Sequence, residues 1–128
     1  MSSTHSANPI SCVAGLSVLQ EIKNKKLNLQ SKLKGNYLHK SLEKIRNKFS
    51  KDIIYIGGKG LIASIVFKNT FSNKVKLKKI CENCLNNGLL VVYTGRESIK
   101  IGPPVTISLK VLKQGINILD KEITAEFK

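Results

Sequence analysis

The apolar residues of this chain follow a helical period in four stretches and a strand period in four shorter ones. Spacings of three and four residues predict helices over 9–26, 29–49 and 75–86. Ser108 can cap a last helix, in which one face aligns Leu112, Ile116, Leu119, Ile123 and Phe127. The 29–49 helix has an apolar face opposite a lysine-rich one, which is the pattern of a helix packed on one side and wet on the other.

Runs of β-branched and aromatic residues predict strands over 52–56, 61–67, 89–93 and 98–101. The glycine-rich residues 57–60 separate the first two strands, and Thr94-Gly95 separates the last two, so each pair predicts a tight hairpin. The order is helix, long helix, hairpin, helix, hairpin, helix. It predicts an α+β fold, in which a small, mostly antiparallel sheet with helices on one face is preceded by two leading helices.

The length of 128 residues favours one domain over 1–128, with the leading helices in 1–50 and the sheet-and-helix unit in 51–128. No apolar run approaches the roughly 20 residues that a membrane span needs, so no membrane partner is expected. The first nine residues do not resemble a signal peptide. Three cysteines, an odd number, fit a reducing compartment, and a cytoplasmic location is expected.

The formal charge of +14 raises the question of nucleic-acid binding, because basic side chains neutralise phosphates. Of the 22 basic residues only Arg46 and Arg96 are arginines, and arginine is the residue suited to bidentate recognition of bases and phosphates. The aromatic content of 5% offers no stacking platform. Lysines spread over solvated faces are therefore the favoured interpretation, and a basic nucleic-acid-binding domain is the weaker alternative.

The pair Cys81 and Cys84 forms a C-x-x-C motif inside the predicted third helix. Zinc needs four ligands, and only Cys12, His5 and His39 remain, none at a metal-ligand spacing, so no metal site is expected. Both thiols face the core side of the helix, which predicts buried, inert cysteines.

The glycine-rich residues 57–60 do not match a phosphate-binding Walker pattern, because the spacing differs and no Ser or Thr follows Lys59. A turn between strands explains these glycines equally well. His39 lies on the lysine-rich face of the second helix and is expected to be solvated. No nucleophile and base stand at a recognisable spacing, so no catalytic residue is assigned in this chain.

Hydroxyls crowd the start of the chain, where Ser2, Ser3, Thr4 and Ser6 precede Asn8-Pro9 and the first helix. Proline suits the first helical position, and Asn8 or Ser6 can cap the helix. A helix start with nearby hydroxyls can also bind a phosphate. The residues alone leave both interpretations open.

Five stretches, taken in order, resemble the C-terminal part of the class III pyridoxal-phosphate-dependent aminotransferases, the group of the ornithine, acetylornithine and 4-aminobutyrate enzymes. Residues 3–9 are similar to the S-T-x-x-G-N-P stretch of that family, and 12–22 to the helix after it. Residues 58–61 resemble its R-G-K-G-L turn, and 87–91 its N-G-L-L strand entry. Residues 98–107 resemble its I-R-x-x-P-P-L-x-I run, and the last helix completes a resemblance over the whole chain.

The resemblance implies a part of an enzyme that transfers an amino group between an amino donor and a 2-oxo acid with pyridoxal 5'-phosphate. The family's Schiff-base lysine lies upstream of residues 3–9, in a large catalytic domain, so this chain alone is expected to lack activity. By position, Ser3 and Thr4 would contact the phosphate of the cofactor held by the second subunit of a homodimer. Lys100 would replace the family's arginine as a contact to the substrate carboxylate, keeping the charge without the bidentate fork.

Two departures from the family pattern are visible: Gly58 replaces the arginine of the turn, and Ala7 replaces the glycine before Asn-Pro. They fit an unusual family member or a relaxed remnant. A non-catalytic interaction or remnant module is thus an alternative to the enzyme fragment. It would expose an apolar face of the first helix, where the large domain would dock, and would self-associate through it.

Overall fold

A computed structural model describes residues 7–128 and contains four helices and four strands in the predicted order. The elements are α1 (Pro9–Asn24), α2 (Leu27–Lys48), β1 (Ile53–Lys59), β2 (Ile62–Phe67), α3 (Phe71–Asn86), β3 (Val92–Tyr93), β4 (Ser98–Ile101) and α4 (Leu109–Phe127). None of the helices in this part of the chain is long and apolar enough to cross a membrane.

The four strands form one antiparallel sheet in the order β1-β2-β4-β3. Both predicted hairpins are present, and β2 pairs with β4 to join them. Strand residues alternate between the two faces, so the residues facing the helices share one side and are buried. They are Ile53, Ile56, Ala63, Ile65, Phe67, Ile99 and Ile101. The expectation of an α+β fold with a small antiparallel sheet is confirmed.

Helices cover one face of this sheet. Helix α2 packs against β1 and β2, α3 packs against β3 and β4, and α4 packs against α2 and α3. The core continues from the sheet into these helices through Leu38, Leu42, Ile45, Leu77, Ile80, Leu112, Ile116, Leu119 and Ile123. The second half of α2 is therefore part of the main core, whereas α1 contributes no buried residue.

The short connection between α1 and α2 is made by Lys25 and Lys26. Lys26 has a φ of 49°, in the left-handed region, and no side chain caps α2. Leu27, the first residue of α2, is buried. The chain therefore turns sharply at Lys26 before it enters the packed part of the fold.

Three element boundaries differ from the prediction. Helix α3 begins at Phe71 and not at 75, because the Thr70 side chain accepts a hydrogen bond from the Asn73 N–H at 3.1 Å and so starts the helix earlier. Strand β3 covers two residues and not 89–93, since the preceding residues leave the helix C-terminus without a strand partner. The left-handed Gly88, with a φ of 84°, ends α3 as predicted for Asn87-Gly88.

The glycine-rich turn is shorter than predicted. Strand β1 continues through Lys59 and pairs with β2 up to Ile62, so only Gly60 and Leu61 connect the two strands. Gly60 has a φ of 58°. The prediction of a strand-to-strand turn is correct, but two of the glycines belong to the strand.

Candidate functional site

Lys100 lies in the middle of the sheet face that no helix covers. Its neighbours in β4, Ile99 and Ile101, are buried, so the alternation of the strand places Lys100 on the opposite, open face. The register pairs Lys100 with Ser64 of β2 on one side and Val92 of β3 on the other. Within residues 7–128, no carboxylate lies within ion-pair distance of Lys100. Lys100 is thus positioned to meet an anion from outside this part of the chain.

The rest of the open face is unusually apolar for a surface in water. Tyr55, Ile62 and Val92 are 60%, 54% and 51% exposed. Ser64 and Ser98 add hydroxyl groups next to them, and Lys59 stands at the hairpin end of the same face. An antiparallel sheet that faces water normally carries polar residues on that side, so this face has the composition of a covered surface.

Sequence reasoning identified Lys100 but not its neighbours Ser64 and Val92. Their relation depends on the pairing of β2 and β3 with β4, and strand register cannot be read from a single strand's pattern. The β2 alternation, with Ala63 and Ile65 buried, did indicate that Ser64 faces away from the core.

The start of α1 is capped as predicted. The Asn8 Oδ1 accepts hydrogen bonds from the Ile10 N–H at 3.0 Å and the Ser11 N–H at 3.4 Å, and Pro9 occupies the first helical turn. Ala7 has a φ of 59°, a conformation that glycine adopts freely and alanine does not. The backbone there thus suits the glycine of the family motif. Ser3 and Thr4, the predicted phosphate contacts, lie outside the described residues.

The hairpin turn between β1 and β2 sits directly on α2. A Cβ built on Gly35 would lie 2.5 Å from the Gly60 Cα, so the two backbones meet without side chains between them. His39, one helical turn further on, has its Nε2 3.2 Å from the Gly60 carbonyl oxygen. The prediction of a solvated His39 is therefore wrong, because the turn covers this part of the helix and leaves the ring half-buried.

The two cysteines of the C-x-x-C motif lie in α3 with their side chains toward the core. Cys84 is fully buried and Cys81 partly so. Burial raises the pKa of the Cys84 thiol to about 12, and burial also raises the pKa of Cys81 above its ordinary value. Both thiols stay protonated at neutral pH, which makes them poor nucleophiles and poor metal ligands.

No other group in residues 7–128 forms a reactive centre. No three of its His, Cys, Asp and Glu side chains gather closely enough to hold a metal ion. An apolar groove of about 410 Å³ lies between the first half of α4 and residues 88–91 and 101–104, and Gln114 is the most polar side chain lining it. This groove has the chemistry of a packing surface and not of a catalytic site.

Pyridoxal phosphate needs a lysine held in a shielded pocket, and none of the lysines in the described part of the chain is buried. Its buried polar residues are Asn73 and Glu122, which hydrogen-bond within the fold. Residues 7–128 therefore do not form a cofactor site by themselves.

A helix-backed antiparallel sheet with an open, partly apolar face and a central cation defines a class of protein part, namely a domain that completes a site shared with other protein. The comparisons give the family. The sequence model of the family "Aminotransferase class-III" matches residues 1–123. The chain belongs to the class III aminotransferases.

Individual relatives agree with this assignment. The acetylornithine aminotransferase of Prochlorococcus marinus subsp. pastoris is 35% identical over 126 residues, which are 98% of this chain and 29% of that protein. The mitochondrial ornithine aminotransferase of Rattus norvegicus is 28% identical over 94% of this chain and 26% of its own length.

Solved structures show the same fold. The acetylornithine aminotransferase of Elizabethkingia anophelis superposes with a TM-score of 0.85 and 27% identity over 98% of this chain and 31% of that one. The ornithine δ-aminotransferase of Plasmodium falciparum gives a TM-score of 0.86 and 26% identity over 99% of this chain and 32% of that one. The chain thus spans about a third or less of the length of these relatives.

Proposed function

We propose that this chain is the C-terminal part of a pyridoxal-phosphate-dependent aminotransferase, which transfers an amino group between an amino donor and a 2-oxo acid. The observation that carries the proposal is the continuous match to the class III family over residues 1–123, together with the superposition of 98% of the chain on a solved acetylornithine aminotransferase. Pyridoxal phosphate, when bound in the complete enzyme, supplies the electron sink for the transfer. The 128-residue chain alone is expected to be inactive.

Lys100 is the residue of the described part that we assign to the substrate. It stands on the open face of the sheet, and the adjacent Ser64 hydroxyl offers a second hydrogen-bond donor to the same carboxylate. A lysine provides a point charge with three rotatable donors, so the Ser64 hydroxyl would supply part of the orientation that an arginine fork gives. Apolar neighbours such as Val92 lower the local dielectric once the face is covered, which strengthens the charge contact.

The proposal also includes partners and location. Ser3 and Thr4 would reach the phosphate of the cofactor in the second subunit of a homodimer, and the large catalytic domain would cover the open face of the sheet. The apolar residues on that face support the second point. The three free cysteines are compatible with a cytoplasmic enzyme.

The test is a chimera in which this chain replaces the matching C-terminal segment of the Prochlorococcus acetylornithine aminotransferase. We expect amino transfer from acetylornithine to a 2-oxo acid by the chimera and none by the 128-residue chain. A folded, cofactor-loaded chimera without transfer would contradict the proposal.

Two lysines of the open face provide a matched comparison within this chimera. Lys100→Ala should raise the KM for the carboxylate substrate by about 10- to 100-fold, the effect of losing a charge-assisted hydrogen bond. Lys59→Ala removes the same charge at the hairpin end of the face and should leave KM within about twofold. Equal effects of the two substitutions would show that only the overall charge matters.

A further inference from the structure

Helix α1 carries large apolar residues around its whole circumference. Successive helix positions rotate by about 100°, which places its large apolar side chains at intervals of about 40–80° with no polar face between them. They are, in order around the helix, Ile10, Val18, Ile22, Leu19, Leu16 and Val13. Helices that are apolar on all sides belong to the interior of a protein.

In the described part of the chain this helix is not in an interior. None of its residues is buried, and its large apolar side chains are between 38% (Ile22) and 81% (Ile10) exposed. Only one side is approached by the rest of the fold, where Val18 and Ile22 line a shallow depression with Leu27 and Val105. The exposed apolar surface continues onto the first half of α2 through Leu29, Leu33 and Tyr37. A 16-residue helix without buried residues is marginal in water, so something else must hold it.

The comparisons indicate what covers it. The superposition on the Elizabethkingia enzyme covers 98% of this chain, so it includes the 16 residues of α1, and the superposed part is 31% of that enzyme. The helix therefore keeps its place in a protein with more than twice as much additional chain. The left-handed Lys26 marks the point where the chain leaves α1 and enters the core of the present fold.

We propose that α1 is an interior helix of the complete protein, enclosed on more than one side by the part of the class III aminotransferase polypeptide that lies outside these 128 residues. This inference rests on the proposed function. It places the structural boundary at Lys25–Lys26, so that α1 belongs with the remainder of the enzyme and residues 27–128 form the unit with its own core.

Cys12 provides a chemical probe of this enclosure, because it lies on α1 and is exposed. In the 128-residue chain, Cys12 should react rapidly with N-ethylmaleimide, and the α1 amides should exchange with solvent deuterium almost as fast as in an unfolded chain. In the chimera, both rates should fall by at least about 100-fold, as is typical when a frayed element joins a cooperative core. Buried Cys84 should remain slow in both proteins and confirms that the core is folded.

Two results would overturn the inference. One is equal labelling of Cys12 in the folded chimera and in the 128-residue chain. The other is an α1 already protected in the 128-residue chain, either as a monomer or in a dimer that sedimentation detects, since α1 would then be covered by its own fold or by a second copy.

A second measurement needs only the 128-residue chain. Leu16→Asp should leave its urea unfolding midpoint unchanged, because α1 contributes nothing to its core, and should lower the melting temperature of the chimera clearly. Phe71→Asp is the matched control, since Phe71 is 84% exposed on α3 and should tolerate the change in both proteins. A large loss of stability from Leu16→Asp in the short chain would contradict the boundary at Lys26.

Transfer activity separates this inference from the proposed function. An active chimera with an unprotected α1 would overturn the inference alone. A protected α1 in an inactive, cofactor-loaded chimera would overturn the proposed function and leave the enclosure of α1 standing.

Discussion

The contact between Gly35 of α2 and Gly60 of the β1–β2 turn leads to a quantitative prediction for Gly35→Ala. In the middle of a helix this substitution normally stabilises a protein by about 1 kcal/mol, because alanine has the higher helix propensity. Gly35 is buried, however, and its new Cβ would lie 2.5 Å from the Gly60 Cα. We therefore expect the sign of the effect to be reversed.

The magnitude follows from the geometry. Carbon atoms in contact are normally about 3.5–4.0 Å apart, so the turn must move away from α2 by about 1 Å. The obstacle is backbone and cannot rotate aside, which places the overpacking cost near the upper end of the usual range, about 3 kcal/mol. The displacement would also weaken the hydrogen bond between His39 and the Gly60 carbonyl, worth about 1 kcal/mol. After the helix-propensity gain, the net destabilisation is about 3 kcal/mol, or about 10 °C in melting temperature for a chain of this size.

Urea unfolding followed by circular dichroism measures this difference, with Gly115→Ala as the matched control. Gly115 also lies inside a helix, α4, but its added Cβ would meet only the Cδ1 end of the Leu89 side chain at 3.2 Å. That side chain can move, so Gly115→Ala should be neutral or stabilising by up to about 1 kcal/mol. If Gly35→Ala is as stable as Gly115→Ala, the turn does not rest on α2 and the reasoning fails.

Three further predictions concern single residues. Ala7→Gly removes a left-handed alanine before α1 and should increase the helix content at the N-terminus, seen as slower amide exchange in the first turn; faster exchange would contradict the strain at this position. Thr70→Ala removes the N-cap of α3 and should cost about 1 kcal/mol in urea unfolding, and a loss below about 0.3 kcal/mol would mean that the cap is replaced by water. The pKa of Cys84 is raised from 9.0 to about 12, so its thiol keeps its proton in the folded state while the unfolded chain loses it. The stabilising effect is fully present below about pH 9 and is lost as the pH rises toward 12; Cys84→Ala should therefore show a shallower fall in unfolding free energy over that interval, and equal slopes would refute the assignment.

The sequence patterns predicted the elements well where local chemistry determines them. The Asn8-Pro9 cap, the Gly88 helix end and both hairpins depend on a few adjacent residues and are present. The α3 start was predicted four residues late, because Thr70 can cap a helix or belong to a polar loop and the sequence does not distinguish the two.

The features that depend on distant parts of the chain could not be predicted in the same way. The burial of His39 requires the turn at Gly60, which lies 21 residues away, to fold back onto α2. The grouping of Lys100 with Ser64 and Val92 requires the register of three strands. The helical pattern of 9–26 was correct, but which of its sides are covered depends on protein beyond these residues.

The position of β1 at one edge of the sheet has a practical consequence for work with the short chain. Strand β1 pairs with β2 alone in the described residues, so its outer row of backbone N–H and C=O groups is available to another strand. Residues 53–56 read Ile-Ile-Tyr-Ile, without a charge or a proline to discourage such pairing, and Ile54 and Tyr55 are exposed. Expressed without a neighbour over this edge, the chain should form β-rich aggregates seeded at β1. A lysine in place of Ile54 would give a soluble sample for solution spectroscopy without disturbing the buried side of the strand.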